Sequence, residues 1–287
     1  MDATARRWVQ RVVGPGSRVD ELGELGEFRH GTSSEVTALD VVDRDGERLA
    51  LVLRRFVDDA WLAREPDLAV REAAVLEALA AGPVPAPALV AVDATGADAG
   101  VPAVLTRRLA GTVVMTPPDL GRWLHGLADL LAMIHATPIP PGLRPYRPWY
   151  ATTRVLEPPA WSHDVPAWAA AISRARAPAP AGASVFLHRD FNPTNVLWVR
   201  DRVSGVVDWV EASAGPAGAD LGHCRCNLAM ESSLEAGEAL HDAFGLAEYD
   251  PYWDLVSAVD FLDVCDSLRP AARERLDAFV AAAVAHL

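Results

Sequence analysis

The sequence predicts an α+β protein with two lobes, a small β-rich N-terminal lobe with one long helix and a larger, mostly helical C-terminal lobe. Three observations support this fold class. Strand-like stretches separated by turn residues dominate the N-terminal third. One long helical pattern interrupts them, and helical patterns dominate the remainder. We place the boundary between residues 108 and 109, which gives lobes 1–108 and 109–287.

The N-terminal lobe begins with an amphipathic helical pattern, MDATARRWVQRVV. Three strand-like stretches follow in residues 25–56, separated by the turn sequences HGTSS and DRDG. A helix is expected over residues 63–82, where it ends at a Gly-Pro pair. Two further strands are expected near Leu89–Val92 and Val101–Thr106.

The C-terminal lobe begins with a helical pattern over residues 118–136 that places leucines on one face. Two proline-rich stretches, TPIPPGLRPYRP and APAPAGA, indicate loops around another helix. The polar segment LHRDFNPTN, residues 187–195, lies between two short strand-like stretches. Three helical patterns then extend to the C-terminus.

Composition narrows the class of protein. The net charge of −13 argues against nucleic acid as a partner, because phosphate contacts need basic patches. No apolar run approaches the roughly 18 residues that a membrane helix requires, and the N-terminus lacks the apolar core of a secretory signal. The three cysteines have no metal-binding spacing, and HCRC at residues 223–226 falls in a helical pattern that separates its cysteines. These features indicate a cytoplasmic protein without structural disulfides.

All 26 basic residues are arginine. The lack of lysine excludes a phosphate-binding loop of the G-x-x-x-x-G-K-[ST] type and any Schiff-base lysine. It also indicates a coding bias, so an arginine can stand where relatives use lysine.

The segment after the strand-like residues 184–187 contains the candidate catalytic residues. His188, Asp190 and Asn195 follow that strand, and Asp208 lies at the end of a second short strand. An antiparallel hairpin between them would bring Asn195 and Asp208 together, and their oxygen atoms suit Mg²⁺. Asp190 would then orient a hydroxyl toward a metal-bound phosphate, an arrangement that serves phosphoryl transfer.

At these residues the sequence resembles a known family. HRDFNPTN followed by VVDW is similar to the catalytic and metal-binding signature of the aminoglycoside phosphotransferase and choline kinase-like family, which has a protein-kinase-like fold. The resemblance implies that Asp190 is the catalytic base, that Asn195 and Asp208 bind Mg²⁺, and that His188 and Asp220 brace the loop. It also implies ATP or GTP as co-substrate and places the chain in the antibiotic kinase branch.

The same resemblance implies a nucleotide site in the N-terminal lobe. Thr32, Ser33 and Ser34 in the HGTSS turn would line phosphate oxygens. The strand lysine of the family would be replaced by Arg54, with Arg55 as the rival, since both faces of this strand are apolar. Its acidic partner would be Glu72, the one glutamate within an apolar helical stripe formed by four residues, Leu68, Val75, Leu76 and Leu79.

A second departure from the family is Arg189, where glycine is common. His-Arg-Asp is also found in protein kinases, but Asp208-Trp209 replaces Asp-Phe-Gly here and Ala-Pro-Glu is missing. The sequence therefore does not indicate a protein kinase, and we expect Arg189 to pair with a nearby carboxylate.

The acceptor is expected to be a small-molecule hydroxyl. Asp260 and Asp263, with Trp253 upstream, combine carboxylates and an aromatic ring in a way that suits a cationic antibiotic such as an aminoglycoside. A metabolic kinase for choline, homoserine or a sugar is the alternative. A nucleotide-binding regulatory module without turnover is the alternative from another class, because an arginine replaces the lysine. The sequence leaves the oligomeric state open.

Overall fold

The computed structural model describes residues 1–24, 34–152, 156–245 and 249–287. The chain divides into two compact units: Met1–Gly111 with Ser204–Val210, and Thr112–Val203 with Glu211–Leu287. A segment distant in sequence, Ser204–Val210, thus belongs to the first unit. A single boundary between residues 108 and 109 does not include this segment.

The first unit is built on an antiparallel five-stranded sheet of order β1-β2-β3-β5-β4 within the described residues. The strands are β1 (Arg18–Glu24), β2 (Ser34–Val42), β3 (Arg48–Phe56), β4 (Leu89–Asp93) and β5 (Ala103–Arg107). A tight turn joins β2 to β3, and Gly46 in that turn has φ +85°, which only glycine adopts readily.

The helices described in the first unit are α1 (Ala3–Val13), α2 (Asp59–Arg64) and α3 (Leu68–Leu79). Asp2 caps α1 by accepting hydrogen bonds from the backbone N–H groups of Thr4 and Ala5, at 2.8 and 2.9 Å. The apolar face of α1, with Trp8 and Val9, joins a core that includes Leu51 and Leu53 of β3. Helix α1 therefore lies over one face of the sheet.

The second unit is mostly helical. Its described helices are α4 (Leu120–His135), α5 (Val165–Arg176), α6 (Gly218–Glu231), α7 (Leu234–Phe244), α8 (Tyr252–Asp260) and α9 (Pro270–Ala285). Its strands are β6 (Ser184–Leu187), β7 (Val196–Val199) and β9 (Ser213–Pro216). Strand β8 (Arg202–Val206) pairs with β7, and its residues from Ser204 onward are assigned to the first unit. Strand β6 pairs antiparallel with β9.

The core of the second unit is formed mainly by α5, α6, α8 and α9. Trp168 of α5 is completely buried there, together with Leu276 and Val280 of α9. Helix α6 is buried along most of its length because glycines at positions 218 and 222 let it approach Trp253 of α8 closely. Asp220 of α6 also bonds to the loop that follows β6.

Several elements differ from the sequence-based expectation. The helix expected over residues 63–82 begins at Leu68, because the residues before it form the short helix α2. Four helices, not three, follow β9 within the described residues. The strand expected before HGTSS lies outside the described residues, and β1 ends at Glu24. None of the described helices is long and apolar enough to cross a membrane.

Candidate active site

The loop between β6 and β7 carries the predicted catalytic residues in the second unit. Strand β6 ends at Leu187, and a short 3-10 turn, Pro193–Asn195, leads into β7. The side chain of Asn192 caps this turn by accepting a hydrogen bond from the backbone N–H of Thr194 at 3.0 Å. His188 is completely buried, and its ring packs on the edge of Phe191. The loop is therefore fixed at both ends.

Asp220, in the first turn of α6, holds the start of this loop. Its two carboxylate oxygens accept the backbone N–H groups of His188 and Arg189, at 2.9 and 2.7 Å. The ring of His135 lies 3.0 Å from the same carboxylate. Burial alone would raise the pKa of Asp220, but His135 and the backbone N–H groups outweigh it, and the pKa is lowered. Asp220 thus braces the loop in the position that the sequence indicated.

The carboxylate of Asp190 is held by side chains on both oxygens. Oδ1 accepts from Asn192 Nδ2 at 3.0 Å and lies 3.0 Å from Nε2 of His223. Oδ2 accepts from Asn195 Nδ2 at 3.1 Å. The side chain nevertheless retains 28 % of its surface exposed. Asp190 is thus a carboxylate held by several bonds that remains partly exposed, which a proton acceptor requires.

Arg189 pairs with a nearby carboxylate, as the sequence led us to expect. Its Nη2 lies 2.7 Å from Asp260, and its guanidinium stacks over the ring of Trp149 with 3.7 Å to the ring centroid. Its φ of +74° lies in the left-handed region that favours glycine. The buried ion pair and the cation–π contact offset the strain of an arginine at this position. Arg189 thus anchors helix α8 to the catalytic loop.

The predicted acceptor residues do not form one accessible group. Asp260 has only 1 % of its side chain exposed, and its carboxylate accepts from Arg189 and from the backbone N–H of Tyr150. Trp253 is buried in the core against α6. Both side chains are buried and Asp260 is paired with Arg189, so their contacts lend no support to acceptor binding, which stays a prediction for these two residues. Asp263 lies beyond the end of α8 and is exposed.

In the first unit, Arg54 contacts three residues that the sequence assigned to the nucleotide or metal site. Its Nη1 lies 3.0 Å from Oε1 of Glu72 on α3 and 2.5 Å from Oδ1 of Asp208. Its Nε donates to Oγ of Ser34 at 3.0 Å. The pKa of Arg54 is raised, because the two carboxylates outweigh the opposing effect of burial. The expected pairing of Arg54 with Glu72 is confirmed.

Strand alternation separates Arg54 from its rival. Arg54 shares a face of β3 with Phe56, whose ring lies 5.1 Å from its guanidinium. Arg55 lies on the other face and pairs with Asp2 and Glu35, at 2.6 and 3.3 Å. The sequence could not choose between them because both faces of the strand are apolar. Of the two arginines, Arg54 is the one that contacts Glu72.

Of the three predicted phosphate-lining hydroxyls, Ser34 lies within the described residues, and Thr32 and Ser33 lie outside them. Ser34 is buried at the start of β2, and its hydroxyl accepts a hydrogen bond from Arg54. Its observed partner is therefore the arginine that is expected to bind phosphate. A lysine has no nitrogen at the position of the arginine Nε, so this contact is specific to arginine.

Asp208 and Asn195 carry the oxygen atoms that the sequence assigned to Mg²⁺. Asp208 belongs to the first unit and has φ +73°, and Asn195 belongs to the second. Asn195 donates from its amide nitrogen to the backbone oxygen and the carboxylate of Asp190, at 2.8 and 3.1 Å. Carboxylate and amide oxygens fit Mg²⁺, which completes its shell with phosphates and water. The described residues contain no group of three His, Cys, Asp or Glu side chains that could hold a metal.

Sequence reasoning missed His223 and the bond between Ser34 and Arg54. The only signal for His223 is its spacing, because it lies three residues after Asp220 and so on the same face of α6. Its contact with Asp190 joins segments 33 residues apart. Such a contact depends on how α6 packs, which a single sequence does not specify.

Comparisons with known proteins identify a family and a shared fold. A family model described as "Phosphotransferase enzyme family" matches residues 24–258, most of the chain. No curated protein matches the chain significantly in sequence. Several solved structures share its fold.

A thermostable mutant of aminoglycoside phosphotransferase APH(4)-Ia, in complex with ADP and hygromycin B, is 18 % identical with a TM-score of 0.67, covering 97 % of this chain and 98 % of that one. Aminoglycoside phosphotransferase APH(2")-IIa with streptomycin and ATP is 13 % identical with a TM-score of 0.58, covering 93 % and 88 %. Macrolide 2'-phosphotransferase MphH from Brachybacterium faecium is 18 % identical with a TM-score of 0.58, covering 98 % of both chains.

At these identities the structural matches establish the fold, which is the two-lobed protein-kinase-like α+β fold that the sequence predicts. The family model covers far more than half of the chain. The chain therefore belongs to the phosphotransferase enzyme family and is a small-molecule kinase, a phosphotransferase with an alcohol group as acceptor.

Proposed function

We propose that this enzyme transfers the γ-phosphoryl group of ATP or GTP to a hydroxyl of a cationic antibiotic such as an aminoglycoside. The observation that carries the proposal is the carboxylate of Asp190, held on both oxygens and still 28 % exposed. Family membership supplies the reaction class. The aminoglycoside phosphotransferases of similar fold, in complex with hygromycin B or streptomycin, support the acceptor class.

In the proposed reaction Asp190 is the catalytic base. As the acceptor oxygen forms its bond to the γ-phosphorus, the bond from that phosphorus to the bridging oxygen breaks and nucleoside diphosphate leaves. Asp190 accepts the proton that the hydroxyl loses. Because the transition state is loose, positioning the hydroxyl contributes more than strong basicity does. His188 and Asp220 support this step by fixing the loop backbone.

The first unit is proposed to bind the nucleotide. Arg54 would contact the phosphates with its guanidinium, whose planar fork suits phosphate oxygens. Glu72 and Ser34 fix the orientation of that guanidinium. Thr32 and Ser33 remain predictions for the same turn. The nucleotide-binding lobe 1–108 of the sequence analysis is retained as a proposal, extended by Ser204–Val210.

Mg²⁺ would be held by Asn195 and Asp208. When bound, it supplies positive charge that offsets the charge of the phosphate oxygens. Asp208 also accepts from Arg54, so the same carboxylate would contact both an arginine and the metal. This sharing links the nucleotide-binding arginine to the proposed metal ligand.

A cytoplasmic location is part of the proposal. Cys224, Cys226 and Cys265 are buried without disulfides, as is usual in a reducing compartment. Nucleoside triphosphates are available there. The proposal includes no membrane or nucleic-acid partner, in keeping with the net charge of −13.

A panel assay tests the proposed function. The purified chain is incubated with ATP or GTP, Mg²⁺ and one acceptor at a time: hygromycin B, streptomycin, a macrolide, choline, homoserine or a sugar. Nucleotide consumption is followed, and mass spectrometry detects the phosphorylated product. We expect transfer to an amine-bearing antibiotic. Transfer to choline, homoserine or a sugar alone would identify a metabolic kinase, and nucleotide binding without any transfer would identify a regulatory module.

A further inference from the structure

We infer that His223 is a positioning residue that fixes the carboxylate of Asp190 for catalysis. This inference rests on the proposed role of Asp190 as the base. His223 lies on α6, and its Nε2 is 3.0 Å from Oδ1 of Asp190. With a proton on Nε2, the contact is a hydrogen bond from the imidazole to the carboxylate. No residue of the sequence motif provides this bond.

One turn of α6 holds both the backbone and the side chain of the catalytic loop. Asp220 accepts the N–H groups of the loop, and His223 lies three residues later on the same helix face. The two contacts constrain different parts of the loop, because one acts on the peptide groups before Asp190 and the other on its carboxylate. Helix α6 therefore contacts both the backbone before Asp190 and its carboxylate, in addition to the bonds from Asn192 and Asn195.

The imidazole of His223 is itself fixed by aromatic neighbours. It stacks parallel to Phe261, with 5.9 Å between ring centroids and 4° between ring planes. The ring of Trp149 meets the imidazole edge-on with 5.3 Å between ring centroids, and the His223 side chain is only 3 % exposed. Packing on two sides prevents the ring from rotating away from Asp190. A rigid donor holds the carboxylate more firmly than an exposed side chain would.

The hydrogen-bond partners of the ring indicate where its proton resides. Nδ1 is buried and has no partner within the described part of the chain, so a proton there would be unsatisfied. Nε2 lies 3.0 Å from Oδ1 of Asp190, which can only accept, and 3.1 Å from Nδ2 of Asn227, which can only donate. Asn227 Nδ2 has another acceptor, the carbonyl oxygen of His223 at 2.9 Å, so we assign Nε2 as the donor to the carboxylate. A neutral ring protonated on Nε2 satisfies the carboxylate without adding a buried charge.

Two substitutions separate the hydrogen bond from the packing. His223→Phe keeps a ring between Phe261 and Trp149 but removes the donor. His223→Gln removes the ring but keeps an N–H donor at a similar reach. We expect His223→Phe to lower kcat about tenfold or more, the scale of misplacing a catalytic group, with the KM for nucleotide unchanged. His223→Gln should retain most of the wild-type kcat.

A double variant tests whether His223 acts through Asp190. In the Asp190→Asn background, His223→Phe should cause little further loss, because residues that act as a unit are not additive. Melting temperatures confirm that each variant is folded. Equal losses in His223→Phe and His223→Gln, a wild-type kcat in His223→Phe, or additive losses in the double variant would overturn the inference.

Nuclear magnetic resonance detects the contact between His223 and Asp190 without any enzyme turnover. It therefore tests this inference independently of the proposed function. In protein labelled with ¹⁵N-histidine, the His223 signals are those lost in His223→Gln. We expect Nε2 to carry the proton and to shift when Asp190 is replaced by Asn. An unprotonated Nε2, or a resonance that Asp190→Asn leaves in place, would overturn the positioning role even if the enzyme phosphorylates its acceptor. If no acceptor in the panel is phosphorylated, the proposed function fails. The NMR signal of His223 still shows whether its Nε2 donates to Asp190.

Discussion

At the scale of single residues, the chain has the planar guanidinium of an arginine where the family resemblance implies the compact ammonium of a lysine. Arg54 occupies the place where the family resemblance implies a lysine, and it uses two of its nitrogens on three partners. Nε donates to Ser34, and Nη1 contacts both Glu72 and Asp208. A lysine at position 54 has one terminal nitrogen and cannot donate from the Nε position. The site is therefore adapted to a guanidinium, whatever coding bias first introduced it.

Arg54→Lys should lower the affinity for nucleotide about tenfold, because the phosphate contact and the bond to Ser34 both depend on the guanidinium. Ser34→Ala should weaken binding in the wild type but not in Arg54→Lys, because the partner of Ser34 is then already missing. The measurement is nucleotide titration by calorimetry.

Arg55→Lys serves as the matched control, because Arg55 lies on the opposite face of β3 beside Asp2 and Glu35. Its affinity for nucleotide should equal that of the wild type. The assignment of Arg54 fails if Arg55→Lys is the damaging change, or if Arg54→Lys binds nucleotide normally.

At the scale of secondary structure, helix α6 organises the catalytic loop. Its first turns carry Asp220 and His223, and its glycines allow α8 to approach. A Cβ at Gly222 would lie 2.5 Å from the backbone oxygen of Trp253, a distance that side chains do not tolerate. The small residue at this position is thus a requirement of packing between α6 and α8.

Gly222→Ala should lower the melting temperature. Replacing glycine by alanine in a helix contributes about 1 kcal/mol of stability, but overpacking against a backbone costs about 1–3 kcal/mol. Gly121→Ala on α4 is the control, since its Cβ would lie 3.6 Å from Asp119 in ordinary contact. That variant should melt at a higher temperature. Equal effects of the two substitutions in a thermal scan would contradict the packing account.

Asp220→Asn should destabilise the fold by about 1–3 kcal/mol at neutral pH, because an amide nitrogen would face a backbone N–H. The folded pKa of Asp220 is depressed below its ordinary value of 3.8. A depressed carboxyl pKa contributes stability that is present above the unfolded pKa and is lost as the pH falls through the folded pKa. The gap in melting temperature between wild type and variant should stay constant above about pH 5 and narrow below about pH 4. Parallel curves down to pH 3 would refute this role of the carboxylate.

The order of elements was predictable because turn residues and hydrophobic periodicity are local signals, and so was the pairing of Glu72 with Arg54. The burial of Asp260 and Trp253 was not predictable, because it required knowing how α8 packs. All residues of that helix, from Tyr252 to Asp260, are buried. From the sequence alone, an acidic residue in such a helix cannot be distinguished from a ligand for a cation. In the structure Asp260 instead neutralises Arg189.

At the scale of the whole molecule, charge is the main remaining guide to the acceptor. The chain carries a net charge of −13, although several acidic residues are neutralised internally. Asp260 pairs with Arg189, and Glu211 pairs with Arg144. Attraction of a polycationic acceptor therefore depends on the summed field and on exposed residues such as Asp263.

If the acceptor is polycationic, its KM should rise with ionic strength while kcat changes little, because salt screens long-range attraction. Steady-state kinetics between low and physiological salt measure this, with the uncharged sugar of the panel as the comparison. An acceptor KM that does not change with salt would indicate a neutral acceptor.

The central claim is that Asp190 acts as the base in phosphoryl transfer to a small-molecule hydroxyl. The most direct test compares kcat for phosphorylated product in wild type, Asp190→Asn and Asp129→Asn, a variant of an exposed aspartate on α4. We predict that Asp190→Asn folds and binds nucleotide normally but loses about 10²-fold or more in kcat. Asp129→Asn should match the wild type. Near-normal turnover by folded Asp190→Asn would contradict the claim.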